Sequence, residues 1–136
     1  MFTQAPQAAD FSDAWIEGDD RARWRSASGH GPRVGARASG SSILELDAGC
    51  LLPRHTDSAE EIIVIASGVA TVTVGDETAT AQQGAIALVP AGVPHEVRNA
   101  SGSLLRFWAI YSGTDVTTTY ESPVQPGGER QRSPLG

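Results

Sequence analysis

Between residues 41 and 111 the chain never sustains a helical period; it runs through short apolar, β-branched segments cut by glycine and proline. SSILELD, from 41, carries Leu44 and Leu46 on one parity. IIVIA (62–66) and AIALV (85–89) are brief apolar runs, the second bounded by Gly84 and Pro90. VATVTV (69–74) is β-branched and leads into Gly75-Asp76, a pair suited to a tight hairpin turn. SLLRFWAIY (103–111) is long and β-prone, and VTTTY (116–120) reads as one more strand. Short strands at regular spacing with this punctuation predict an all-β sandwich or barrel.

A chain of 136 residues has the length of one domain and can bury a core without disulfide staples. The organisation expected is an N-terminal extension (1–40) of short strands and loops packed on a barrel (41–120), then a Pro/Gly-rich tail (121–136). The first dozen residues are polar and Ala-rich and are expected to be loosely ordered. Residues 13–37 read as a short strand or a turn of helix leading into loops. Arg21, Arg23 and Arg25 read as a solvated face rather than a substrate-anion site, and His30, between glycines, as a surface-loop residue. The tail ESPVQPGGERQRSPLG holds three Pro and three Gly and predicts an extended or disordered arm.

Charge and composition exclude several classes. The net charge is −6 and there is no basic stripe, so nucleic acid is not an expected partner. No apolar run approaches the roughly 20 residues of a membrane span. The start, MFTQAPQAADFSDAW, has neither a basic beginning nor an apolar h-region, and the one cysteine, Cys50, cannot form an internal disulfide; both point to the cytoplasm. Cys50, beside Leu51 and Leu52, reads as a small buried hydrophobe. All ten basic residues are Arg, which excludes Schiff-base chemistry and a Lys phosphate clamp. The Arg- and Ala-rich usage fits a GC-rich bacterial genome.

Two spaced motifs carry the chemistry. The first reads Gly49, five residues, His55, one residue, Asp57, three residues, Glu61, six residues, Gly68. The second reads Gly84, five residues, Pro90, one residue, Gly92, two residues, His95, three residues, Asn99. This pair resembles the motifs of the cupin superfamily, G-x5-H-x-H-x3/4-E-x6-G and G-x5-P-x-G-x2-H-x3-N. The second is matched at every fixed position; in the first, Asp57 stands where the family has its second His. The resemblance implies a single double-stranded β-helix, or jelly-roll, barrel. It also implies that His55, Asp57, Glu61 and His95 converge inside that barrel on one divalent cation, with Asn99 and the motif glycines at turns and corners.

Strand geometry agrees in part. His55 and Asp57 are two apart and share a face, with Arg54 on the other. Glu60 and Glu61 both lie on apolar parities, so periodicity does not choose between them; the family spacing to Gly68 selects Glu61. The turn Pro90-Ala-Gly-Val-Pro is expected to return His95 to face the first motif across the barrel. On SLLRFWAIY, either Leu105, Phe107, Ala109 and Tyr111 or Leu104, Arg106, Trp108 and Ile110 face inward, and the pattern leaves this open.

Two neutral His with Asp57 and Glu61 carry −2, which neutralises a dication and favours harder ions: Fe or Mn first, with Zn or Ni admissible. His55, Asp57 and His95 have the composition of the 2-His-1-carboxylate triad of non-haem iron oxygenases. The expectation is an oxygenase acting on an organic small molecule, with Asp57 and Glu61 as catalytic candidates. The alternatives are a Lewis-acid isomerase, cyclase or lyase, a non-catalytic small-molecule or metal-binding module, and a structural cupin without metal. The resemblance also implies a homodimer paired through its sheets.

Overall fold

The computed structural model describes all 136 residues, twelve strands and two short 3-10 turns (Pro6–Ala8 and Pro32–Val34). In chain order the strands are β1 (Ser12–Ile16), β2 (Asp19–Ser28), β3 (Gly40–Leu46), β4 (Leu51–Asp57), β5 (Glu61–Ser67) and β6 (Val69–Val74). They continue as β7 (Glu77–Gln82), β8 (Ile86–Val89), β9 (His95–Arg98), β10 (Leu105–Tyr111), β11 (Thr118–Gln125) and β12 (Glu129–Arg132). They join in one sheet of order β7-β6-β9-β4-β11-β1-β2-β3-β10-β5-β8, with β12 on β11. Every pairing is antiparallel. The sheet curls into a nearly closed jelly-roll barrel. No helix is long and apolar enough to cross a membrane.

Packing settles the open parity of β10. Leu105, Phe107, Ala109 and Tyr111 are buried in the barrel core with Leu44, Leu46, Ile63, Ile65, Val72 and Val97. Arg106, Trp108 and Ile110 point outward. Arg106 is anchored there: its Nε donates to Glu45 Oε2 at 2.9 Å, while Arg25 Nε reaches Glu45 Oε1 at 3.3 Å and Arg25 Nη2 reaches Asp47 at 2.8 Å. Arg106 therefore faces away from the interior and cannot meet a substrate anion there. Outside, the register aligns Ile86, Val64, Trp108, Ile43 and Ala27 in one cross-strand row and Leu88, Ile62 and Ile110 in the next.

Both flanks differ from the sequence expectation. Residues 19–28 form a ten-residue strand between β1 and β3. Its alternation puts Ala22 and Trp24 in buried positions and Arg21 and Arg23 on the solvated side. The tail is no disordered arm. β11 runs to Gln125, β12 pairs back on it, and Val124 and Leu135 are buried in the core. Two isolated apolar residues among Pro and Gly leave no periodic signal, yet each fills core volume. The polar strand β7 was likewise invisible, because it lies exposed against β6 and buries little.

Two motif residues hold the frame. Gly68 turns at φ 88°, and a Cβ there would stand 2.7 Å from the Leu104 carbonyl oxygen, so only glycine fits this approach. Asn99 is fully buried. Its Nδ2 donates to the carbonyls of Leu46 (2.9 Å) and Ser103 (2.7 Å), and its Oδ1 accepts from Ser101 N (3.1 Å) and Oγ (2.7 Å). One amide side chain thus ties the end of β3 to the loop between β9 and β10.

Candidate metal centre

The four motif side chains come from three strands. His55 and Asp57 lie on β4, two residues apart and facing inward; Glu61 opens β5 and His95 opens β9. β9 pairs with β4 so that His95 is the direct partner of His55, and the Gly92 N–H donates to the Asp57 carbonyl at 2.8 Å. His95 therefore arrives beside His55 on the neighbouring strand, not from across the barrel: the rigid turn delivers it to an adjacent hydrogen-bonded position. Glu61 is buried while Glu60 is exposed, as the spacing to Gly68 requires.

The potential ligand atoms of His55, Asp57, Glu61 and His95 all lie within 4.8 Å of one another, and all four residues are buried. Both imidazoles are oriented by the backbone: Nδ1 of His55 is 2.7 Å from the Pro53 carbonyl, and Nδ1 of His95 is 2.9 Å from the Val93 carbonyl. A carbonyl only accepts, so each Nδ1 carries the hydrogen and each Nε2 is left to face the cluster. This is how metal-binding imidazoles are commonly held. Thr118 Oγ1 donates to Asp57 Oδ1 at 2.5 Å and leaves Oδ2 turned inward.

Three atoms are then left over. Asp57 Oδ2, Glu61 Oε1 and His95 Nε2 are buried and have no hydrogen-bond partner of acceptable geometry. His95 Nε2 is only 2.8 Å from Glu61 Oε1 and 3.2 Å from Asp57 Oδ2. With the hydrogen on Nδ1, none of the three carries one to donate, so they stand as acceptors around one point between them. Buried polar atoms without partners are costly and rare. A divalent cation at that point would satisfy all of them together with His55 Nε2, so the donor set fits such an ion.

Protonation in the metal-free cluster shows the same unmet demand. Burial pulls the His95 imidazole down, but the Asp57 and Glu61 carboxylates outweigh it and raise its pKa to about 10. His55 falls to about 4, through burial and then the neighbouring His95 charge. Burial pushes Glu61 up to about 6. Burial also pushes Asp57 up, yet His95, His55 and Thr118 overcome it and hold its carboxyl below the ordinary value. In effect a proton on His95 does for the two carboxylates what a metal would do.

Around the cluster, Tyr120 lies against His55 (centroids 5.1 Å apart) and Trp24 stacks on Tyr120 (5.4 Å, 28°). Tyr111 pairs with Glu61 across β10 and β5. Sequence reasoning missed Thr118, Tyr111, Tyr120 and Trp24 as site residues. The signal available for two of them was the parity of VTTTY, which sets Thr118 and Tyr120 on one face opposite Asp57 and His55. His30 and Cys50 stay outside the site. The His30 ring nitrogens lie 2.8 Å from Ser41 Oγ and 2.9 Å from Ser39 Oγ, and the half-buried Cys50 thiol is pushed up by burial.

The family model described as "Cupin domain" matches residues 42–111, half of the chain. The chain is a cupin. An uncharacterized protein of Streptomyces coelicolor is 37% identical over 70 residues, 52% of this cupin; the match spans 66% of that protein, just short of two thirds. Among solved structures, a predicted oxalate decarboxylase from Thermotoga maritima shares the fold at TM-score 0.71, with 16% identity, over 82% of this chain and 99% of that one. The polyketide cyclase RemF from Streptomyces resistomycificus matches at TM-score 0.69, with 18% identity, over 85% and 83% of the two chains. At these identities the likeness is one of fold.

Proposed function

We propose that this cupin is an enzyme that holds one divalent cation through His55, Asp57, Glu61 and His95 and acts as an O2-dependent oxygenase on a small organic molecule. The observation that carries the reading is the convergence of three unpartnered buried atoms, Asp57 Oδ2, Glu61 Oε1 and His95 Nε2, with the inward Nε2 of His55. Two neutral imidazoles and two carboxylates favour Fe(II) or Mn(II), with Zn(II) or Ni(II) admissible. Such an ion would supply Lewis acidity and, as iron or manganese, redox chemistry toward O2. The chain's own residues do the rest. Backbone carbonyls fix both imidazoles, Thr118 fixes the Asp57 carboxylate, and Trp24 and Tyr120 screen the cluster from water.

The fourth ligand favours a second reading. Two His and one carboxylate complete a facial triad, so Glu61, on a different strand from Asp57, is free to take or return a substrate proton. That arrangement suits a Lewis-acid isomerase, cyclase or lyase, and one structural relative is a polyketide cyclase. Metal analysis after anaerobic and aerobic purification, followed by turnover with and without O2, tests both. Strict O2 dependence supports the oxygenase; turnover indifferent to O2 supports the second reading. Protein that takes up no Fe, Mn, Ni or Zn refutes both.

A further inference from the structure

The space beside His55 and Glu61 is a cavity of only about 50 Å3. That is room for a water or two, well below the roughly 300–1,000 Å3 of small-molecule sites. Pro134 forms part of its wall, and the next residue, Leu135, is buried in the same core as Trp24, Tyr111 and Tyr120. Leu135 occupies the place where Gly40 lacks a side chain: a Cβ on Gly40 would lie 2.5 Å from Leu135 Cδ1. Residues 133–136 lie beyond β12 and outside the sheet's hydrogen-bond ladder. Their one backbone hydrogen bond, Gly136 N–H to the Ser133 carbonyl at 3.4 Å, is internal to the segment. The segment is therefore held mainly by an apolar side chain sunk into a complementary hole.

The walls of the cavity that Pro134 helps to close have a definite chemistry. Trp24 and Tyr120 offer a stacked aromatic face. Ser26, Ser42 and Tyr111 supply hydroxyls, and no Arg lines the cavity. With Arg106 turned outward onto Glu45, no guanidinium reaches the cavity to clamp an anion, and the Glu61 carboxylate lines it. We propose that Pro134 and Leu135 are a removable plug over the metal centre, and that the molecule admitted in its place is a neutral, flat aromatic compound bearing a hydroxyl or carbonyl. This rests on the metal-dependent reading above and names the substrate class and the access route of that same site.

Three probes of similar size separate the requirements: phenol (neutral, aromatic), cyclohexanol (neutral, not aromatic) and benzoate (aromatic, anionic). Each is titrated by NMR into wild type, Leu135→Asp, a form lacking residues 134–136, and Leu135→Ile. The titrations are run with and without Zn2+, and the rate of Zn2+ transfer to EDTA is recorded. Because a plugged pocket binds in proportion to the fraction that is open, Leu135→Asp and the shortened form should bind phenol about tenfold more tightly and release Zn2+ about tenfold faster. Leu135→Ile should behave as wild type, and phenol should outbind cyclohexanol and benzoate. Equal phenol affinity and equal Zn2+ release in wild type and both opened forms would overturn the plug. Preference for benzoate or cyclohexanol would overturn the ligand class. If no form takes up Zn2+, the metal reading has failed, and the phenol titrations of metal-free protein still decide the plug.

Discussion

Replacing Asp57 by alanine tests whether this carboxylate binds the metal or only assists beside it. It is one of four inward side chains, and its Oδ2 is among the buried atoms without a partner. Four-ligand sites bind zinc with about 10–16 kcal/mol, so one ligand of four is worth about 3 kcal/mol, or a hundredfold or more in affinity. The readout is the thermal shift on adding metal. At a hundredfold excess over the wild-type Kd the metal stabilises the fold by about 2.7 kcal/mol. For a domain of this size that corresponds to a rise in Tm of about 8–10 °C. At the same concentration Asp57→Ala, bound a hundredfold less tightly, gains only about 0.4 kcal/mol and about 1 °C. Loss of the Thr118 hydrogen bond lowers the metal-free Tm as well, but this offset cancels in the shift. His95→Ala, measured in parallel, should lose its shift equally, and Asp57→His should keep a metal while changing which ion is preferred. A full wild-type shift in Asp57→Ala beside an absent one in His95→Ala would refute the ligand assignment and make Asp57 a base.

Other outcomes follow from the same contacts. In metal-free protein the His95 pKa is raised to about 10 from 6.5, so its contribution to stability is complete below pH 6.5 and is lost as pH rises toward 10. Denaturant melts across that window should show the loss in metal-free wild type and not in His95→Gln. Asn99→Ala strands the Leu46 and Ser103 carbonyls and should cost about 2–4 kcal/mol in urea unfolding, while the protein that remains folded keeps its metal content. We also propose a homodimer through the outer apolar rows, where Ile86 and Leu88 are 71% and 58% exposed. Sedimentation should show a dimer that Ile86→Asp converts to monomer; a wild-type monomer at micromolar concentration would count against it.

The candidate cluster was legible through the family resemblance: the two motifs pick out His55, Asp57, Glu61 and His95, and the fold gathers the potential ligand atoms of those four side chains within 4.8 Å of one another. What escaped the sequence has definite physical causes. On β5 and β10 both parities are apolar, because one face fills the core and the other builds the outer rows, so alternation carries no information about inside and outside. β2 alternates, with Ala22 and Trp24 buried against the solvated Arg21 and Arg23, but these two buried residues among so many polar ones carry too little apolar signal to show that the strand runs for ten residues. Leu135 is a lone apolar residue in a Pro/Gly context, and nothing local tells that its partner is Gly40, far away in sequence. The neighbour of His95 depends on strand pairing, which a turn sequence does not encode.

The bond from Thr118 to Asp57 joins residues 61 positions apart, so the centre is expected to form late in chain assembly. Pairing β4 with β9 across the roughly 40 residues between His55 and His95 must come before the four side chains can meet, and β11 must then dock on β4 before Thr118 fixes Asp57. An ion gripped by all four has little to hold in the folding transition state while that closure is incomplete. It should leave the refolding rate nearly unchanged and slow the unfolding rate, so that metal lengthens the lifetime of the native barrel without hastening its birth.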